Sequence, residues 1–241
     1  MEQIRVDNEP SFVLHTYAYR ETSYIVEIFG RNIGRVGMVA RGARRPKSDL
    51  RGLLMPFQPL LLSARGKGEL LTLTRAEWIG GQKLLTGQAL FCGFYLNEIL
   101  LKLMMRHDAH ETLFDEYEST LKSLGENSQN QSAVLRRFET RLLSALGYGL
   151  LLDAEAFTNH SIDPAALYDY FIEQGPIRSS QTLSTSLLVI GQTLIDMHHE
   201  QYESARSLKE ARQLLRQVIA HYLDGQSLRT VQLMKDLKEW K

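Results

Sequence analysis

Along the first eighty residues, apolar side chains come in short runs broken by glycine and proline. Residues 11–19 alternate loosely, 24–29 are β-branched and aromatic, and 34–40 form an apolar run between glycines. Residues 57–63 follow Pro56, and 69–78 read as a last strand. Five short, glycine-punctuated strands predict a small barrel rather than a βαβ sheet. After Gly80–Gly81 the period turns helical. Residues 84–105 are apolar nearly all round, the mark of a buried central helix. Leu135, Phe138, Leu142 and Leu146 recur at helical spacing, and Gly147 supplies a C-terminal stop. Further helices are expected over 111–124, 164–173, 183–199 and 205–223, with a short one over 230–239, and 125–132 reads as a polar loop. There are no internal repeats and no low-complexity tail. The expected class is α+β: a five-stranded barrel over 1–80, then an all-α domain over 81–241.

Charge sharpens this division. The chain has 241 residues, with 28 basic and 28 acidic side chains, and 44% are hydrophobic. That composition suits a globular chain able to bury a core without staples. Residues 1–80 carry 12 basic and 8 acidic side chains, 81–203 carry 8 and 16, and 204–241 carry 8 and 4. A basic segment beside an acidic body points to a polyanionic partner. Cys92 is the single cysteine, which excludes an internal disulfide or a cysteine-cluster zinc site and fits a reducing cytoplasm. The opening MEQIRVDNEP carries acids and lacks the apolar stretch of a signal peptide. The densest apolar run, 89–96, is stopped by Asn97 and Glu98 far short of a membrane span. A soluble intracellular protein is expected.

Catalytic patterns are missing. There is no GxxxxGK[ST] phosphate loop, no HExxH, no GxSxG and no EF-hand loop. His107 and His110, and the cluster His198, His199 and Glu200, would need a further ligand to hold zinc, so solvated helix ends are the better reading. Cys92 within the most apolar helix reads as a small hydrophobe. No catalytic residue, metal or cofactor is expected.

Residues 40–52, ARGARRPKSDLRG, carry the strongest signal. Gly42 and Pro46 favour a loop, and Arg41, Arg44, Arg45, Lys47 and Arg51 crowd into it against Asp49 alone. A second basic turn places Arg65 and Lys67 between the next two strands. Guanidinium groups pair bidentately with phosphate oxygens, and neutralised phosphates release counterions. A lone charge run is more often a solvated loop. Two basic loops on one small barrel in an otherwise acidic protein favour nucleic acid. Phe12, Tyr17, Tyr19, Tyr24, Phe29 and Phe57 are available as base platforms, although most belong to the core.

The stretch SFVLHTYAYRETSYIVEIFGRNIGRVGMVARGARRPKSDLRGLLMPFQPLLLSARGKGELLTLTRAE resembles the N-terminal half of the bacterial recombination mediator family RecO. The similarity continues in order through FYLNEILLKLM, LRRFETRLLSALGYG, YDYFIEQGPI and LLRQVIAHYLDG. It implies an N-terminal OB-fold, a helical C-terminal domain, and a cytoplasmic, nucleoid-associated role in double-strand-break and gap repair through the RecF pathway. The implied activities are binding single- and double-stranded DNA, annealing complementary strands, and helping load recombinase onto strands coated by single-stranded-DNA-binding protein. The implied partners are RecR, the acidic tail of that coating protein, and RecF. Two departures stand out. No cysteine lies in 150–177, which excludes the four-cysteine zinc site of some members, and the basic-Ser-Arg turn appears here as Arg229, Thr230 and Val231.

The expected DNA contacts are Arg41, Arg44, Arg45, Lys47 and Arg51, extended by Arg35, Arg65 and Lys67. For the acidic tail, Arg136 is the first candidate, with Arg137 and Arg141 as alternates beside the apolar stripe of Leu135, Phe138 and Leu142. Pairing of these arginines with Glu98, Glu139 or a neighbouring helix is an equal alternative. Two other functions compete: a protein–protein adaptor whose basic loops meet an acidic partner, and an RNA-binding OB protein.

Overall fold

A computed structural model describes residues 3–126, 130–179 and 187–233. Five strands, β1 (Ile4–Tyr19), β2 (Ser23–Gly30), β3 (Gly34–Ala40), β4 (Pro59–Gly66) and β5 (Leu70–Trp78), close in the order β1-β2-β3-β5-β4. Closure depends on the length of β1. Its first half pairs with β4 (Ile4 opposite Gly66) and its second with β2 (Tyr19 opposite Ser23), with register shifts where it bends. The sequence pattern places its start at residue 11, because the earlier stretch is mostly polar, with Ile4 exposed and Val6 buried. Val13, Val26, Ile28, Met38, Leu60 and Leu62 fill the barrel. The 41–58 connection sends Ala43 and Leu54 into the same core, on either side of the short helix α1 (Leu50–Leu53).

Packing groups Met1–Ser128 with Leu228–Lys241, and Gln129–Ser227 separately, whereas the change of texture falls at Gly80–Gly81. The reason lies in two helices, α2 (Gly87–Leu103) and α3 (Glu111–Glu126). Phe12 and Phe29 turn away from the barrel interior and stack edge-on and tilted against Phe114 and Tyr117 of α3. Asn97, a polar residue buried in the apolar α2, donates its amide to the Leu14 carbonyl at 2.9 Å, at the register shift where β1 loses ladder pairing. An orphaned carbonyl there is costly, so one asparagine in an apolar helix has a physical cause. Tyr117 Oη donates to the same Asn97, and burial drives its phenol far above the ordinary value.

The second unit holds α4 (Gln131–Ala145), β6 (Leu167–Phe171), β7 (Gly175–Arg178), β8 (Leu188–Ile190), α5 (Gly191–His198) and α6 (Ala205–Tyr222). Phe138, Leu142, Leu194, Leu214, Leu215 and Val218 make its core. The region is not all-α: β6, β7 and β8 form an antiparallel sheet in the order β7-β6-β8. The helix expected over 164–173 is instead strand β6. Leu167, Tyr170 and Phe171 fit helical spacing, but aromatic residues around a single aspartate pack better on a pleated surface. The helix expected over 183–199 begins at Gly191, after strand β8; residues 183–186 lie outside the described set. Of the helix expected over 230–239, 229–233 are helical and the rest falls outside the described residues. No described helix is long and apolar enough to cross a membrane.

Candidate nucleic-acid interface

The basic loop is held rather than loose. Gly42, at φ +72°, turns the chain at the end of β3, a conformation side-chain-bearing residues disfavour. The Arg44 amide then donates to the Thr22 carbonyl at 2.9 Å, and its Nη1 to the Arg20 carbonyl at 3.0 Å. Both bonds tie the loop to the β1–β2 turn. Three successive turns follow, closed by Arg45 to Gly42, Ser48 to Arg45 and Arg51 to Ser48 at 3.0–3.1 Å. Buried Ala43 and Leu54 anchor the two ends. Arg41, Arg44, Arg45, Lys47 and Arg51 all remain exposed. None of the five forms an ion pair among the described residues.

Barrel closure extends this surface. Reading across the ladders, Arg5 lies opposite Arg65, Arg65 opposite Thr72, Thr72 beside Val39, Val39 opposite Ile25, and Ile25 opposite Tyr17. All six face outward, since none is buried and the strand neighbours Val6, Ala64, Leu71, Met38 and Val26 are. Two strand spacings separate Arg65 from Val39, about 10 Å. Arg41 follows Val39 by two residues, and Lys67, also exposed, follows Arg65 by two. The two basic loops are therefore joined by one outward row. Tyr17 is 48% exposed, with its ring 4.4 Å from that of His15. Phe12, Phe29 and Phe57 are buried, and Tyr19 and Tyr24 partly so.

Arg35 departs from its expected role. Its Nη1 donates to the Leu101 carbonyl at 2.8 Å, capping the end of α2, and its side chain is only 18% exposed. Beside it Arg106 bonds Glu27, over Gly37, where an added Cβ would lie 2.8 Å from Arg106 Nη1. Burial lowers the Arg35 pKa, with Glu27 opposing. This arginine ties the barrel to α2. Partial burial likewise holds the His15 imidazole below its ordinary value, with Glu27 opposing and Arg229 reinforcing the shift. The Arg229–Thr230 turn is itself capped by Glu98, whose carboxylate accepts both amides at 2.8 and 2.9 Å.

On α4 the expected surface arginines are engaged. Arg136, 8% exposed at its side chain, forks onto Glu139, its neighbour one turn along. Arg137 donates to the Glu200 carbonyl at 3.0 Å, and Arg141 to the Glu200 carboxylate at 2.7 Å. Arg136, the first candidate for the acidic tail, instead pairs with Glu139, the alternative the sequence left open, and its charge is tolerated in its buried place because Glu139 accompanies it. Arg141 is the more open, at 39%.

Helical spacing alone did not separate these cases. Arg5 was missed because its link to Arg65 exists only across the closed ladder, sixty residues apart. Among the described residues no three metal-ligating side chains gather into a site, and Cys92 is buried. The arrangement offers fixed positive charge, a partly exposed aromatic and hydrogen-bond donors.

Residues 2–82 match the family described as recombination protein O N terminal, and residues 84–231 its C-terminal counterpart. The chain is 52% identical to a DNA repair protein RecO of Aromatoleum aromaticum, over 98% of both chains. It is 48% identical to those of Dechloromonas aromatica, over 98% of both, and Nitrosospira multiformis, over 99% of both.

Proposed function

This chain belongs to the recombination protein O family, and from that premise we propose that it binds DNA and anneals complementary strands as a recombination mediator without catalysing a reaction. Its role in DNA repair and recombination follows from the family. The finer reading rests on one observation: five exposed cations, with no ion pair among the described residues, sit on an anchored loop. A five-stranded barrel closed in this order reads as an OB-fold, a scaffold suited to nucleic acid. The loop's fixed anchors spare the ordering entropy that a floppy basic segment would lose on binding.

In this reading Arg41, Arg44, Arg45, Lys47 and Arg51 hold the phosphate backbone, Arg65 and Lys67 continue the track, and Arg5 joins it. Phosphate contact carries no sequence preference, which suits a protein that must anneal any two complementary strands. Partners follow the same logic: single-stranded-DNA-binding protein through its acidic tail, RecR, and RecF, with recombinase loading as the outcome. For the tail we place the carboxylate contact at Arg141, where an incoming acid can exchange with the partly exposed Glu200. Arg137 remains its alternate.

The test is salt-dependent binding to single-stranded DNA, followed by annealing in EDTA without nucleotide. About five phosphate contacts give a log–log salt slope near −3.5, at roughly 0.7 per phosphate. A flat slope, or annealing that needs metal or ATP, overturns the reading. Salt-sensitive capture of an acidic protein with no DNA binding favours the adaptor, and stronger competition by RNA than by DNA favours the RNA-binding alternative.

A further inference from the structure

We propose that Trp78 is a base-stacking platform that continues the single-strand track past Arg51; the proposal rests on the DNA-binding reading above. Trp78 ends β5, and 58% of it is exposed. The adjacent Ile79 is 54% exposed, so two large apolar side chains stand in water side by side at this strand end. The ring is also held. Its Nε1 donates to Gln58 Oε1 at 3.1 Å, on the segment that runs from the basic loop into β4. The neighbouring Ile79 amide closes onto the Pro59 carbonyl at 3.1 Å, so the strand end carrying the indole is itself pinned. A ring fixed by its edge, with much of its surface in water, is prepared for stacking at little entropic cost.

What lies beside it points to the occupant. The helix α1, bearing the exposed Arg51, packs against β5, and Leu50 and Ala76 rest on the same core cluster. The basic loop, whose cations form no ion pair among the described residues, thus ends on a helix packed against the strand that carries the indole. Arg75, nearer in sequence, is already neutralised by Glu77. An occupant with a negative backbone and flat apolar faces satisfies both features, and single-stranded nucleic acid has both. Duplex DNA does not, because its bases are already stacked on one another.

Trp240 is the chain's other tryptophan, so a W240F variant makes Trp78 the sole indole reporter. Oligothymidylate titrated into W240F is expected to quench the emission along the same isotherm that a salt-dependent binding assay gives. Trp78→Ala should weaken single-strand binding about tenfold, leave duplex binding unchanged and keep the salt slope, because stacking neutralises no phosphate. Trp78→Phe, which keeps an aromatic face, should recover most of that loss. Emission unmoved by saturating oligonucleotide, with salt-dependent binding intact, overturns the stacking proposal and leaves the DNA reading standing. Absence of any salt-dependent binding overturns both. Emission that responds to purified RecR but not to oligonucleotide assigns the indole to a protein interface and also overturns it.

Discussion

The 41–51 loop and the helix α4 each carry a cluster of arginines, and the two clusters have opposite fates. In the loop, glycine, proline and turn hydrogen bonds hold the backbone while the side chains stay exposed, without acidic partners among the described residues. On α4, Arg136 shares the face of buried Phe138 and Leu142, so its charge is shielded from water and bound to Glu139. The same residue type stays open to a ligand in one place and is a structural strut in the other. What decides is whether a carboxylate is supplied at one helical turn. The loop offers only Asp49.

The difference can be broken most forcefully at Arg136. Arg136→Ala leaves Glu139 buried without its cation, and the expected loss is about 3–5 kcal/mol in urea unfolding. DNA affinity of the fraction that remains folded should not change. A loss below about 1 kcal/mol would mean that Glu139 finds another partner.

In the loop the effects reverse. Replacing Arg44 and Arg45 together by alanine should weaken single-strand binding on the order of tenfold, whatever the sequence, and flatten the salt slope by about 1.4. Urea stability should shift by no more than about 0.5 kcal/mol, as at other exposed positions. Unchanged affinity and slope would remove the loop from the interface.

Arg141→Ala sharpens the contrast from the middle, since its pair with Glu200 is partly in water. Stability should fall by about 0–1 kcal/mol, while binding of the acidic tail peptide falls clearly. Wild-type peptide affinity in a folded variant would exclude Arg141.

The smallest effect is one of pH. Burial alone would raise the Glu210 carboxyl, but hydrogen bonds from Arg206, the Ile190 amide and Thr193 outweigh it and hold the group below its ordinary value. That stabilisation is complete above the unfolded carboxyl range, near 4.3, and is lost as pH falls through the lower folded value. Glu210→Gln should therefore be less stable than the parent at neutral pH, with the gap closing in acid. A gap independent of pH would remove ionisation from the cause.

Much of the molecule was legible locally. Period-two runs bounded by glycine and proline located the five barrel strands, and the apolar stretch after Gly81 located α2, because burial imposes its period directly on the chain. The exposed character of Arg41, Arg44, Arg45, Lys47 and Arg51 was legible too, since a turn-rich segment of like charges has no apolar face to bury. Where two periods fit equally, as over 164–173, the local pattern could not separate a strand from a helix.

Pairing across distance was decided only in the tertiary structure. Arg5 meets Arg65 because β1 is long enough to close the barrel, Arg35 turns inward because the end of α2 presents the Leu101 carbonyl, and the Gly37 backbone leaves room for Arg106 over Glu27. A sequence states which residues are charged and how often apolar positions recur. Which charge is then neutralised depends on the acid, carbonyl or open water that folding brings to it, and that neighbour comes from elsewhere in the chain.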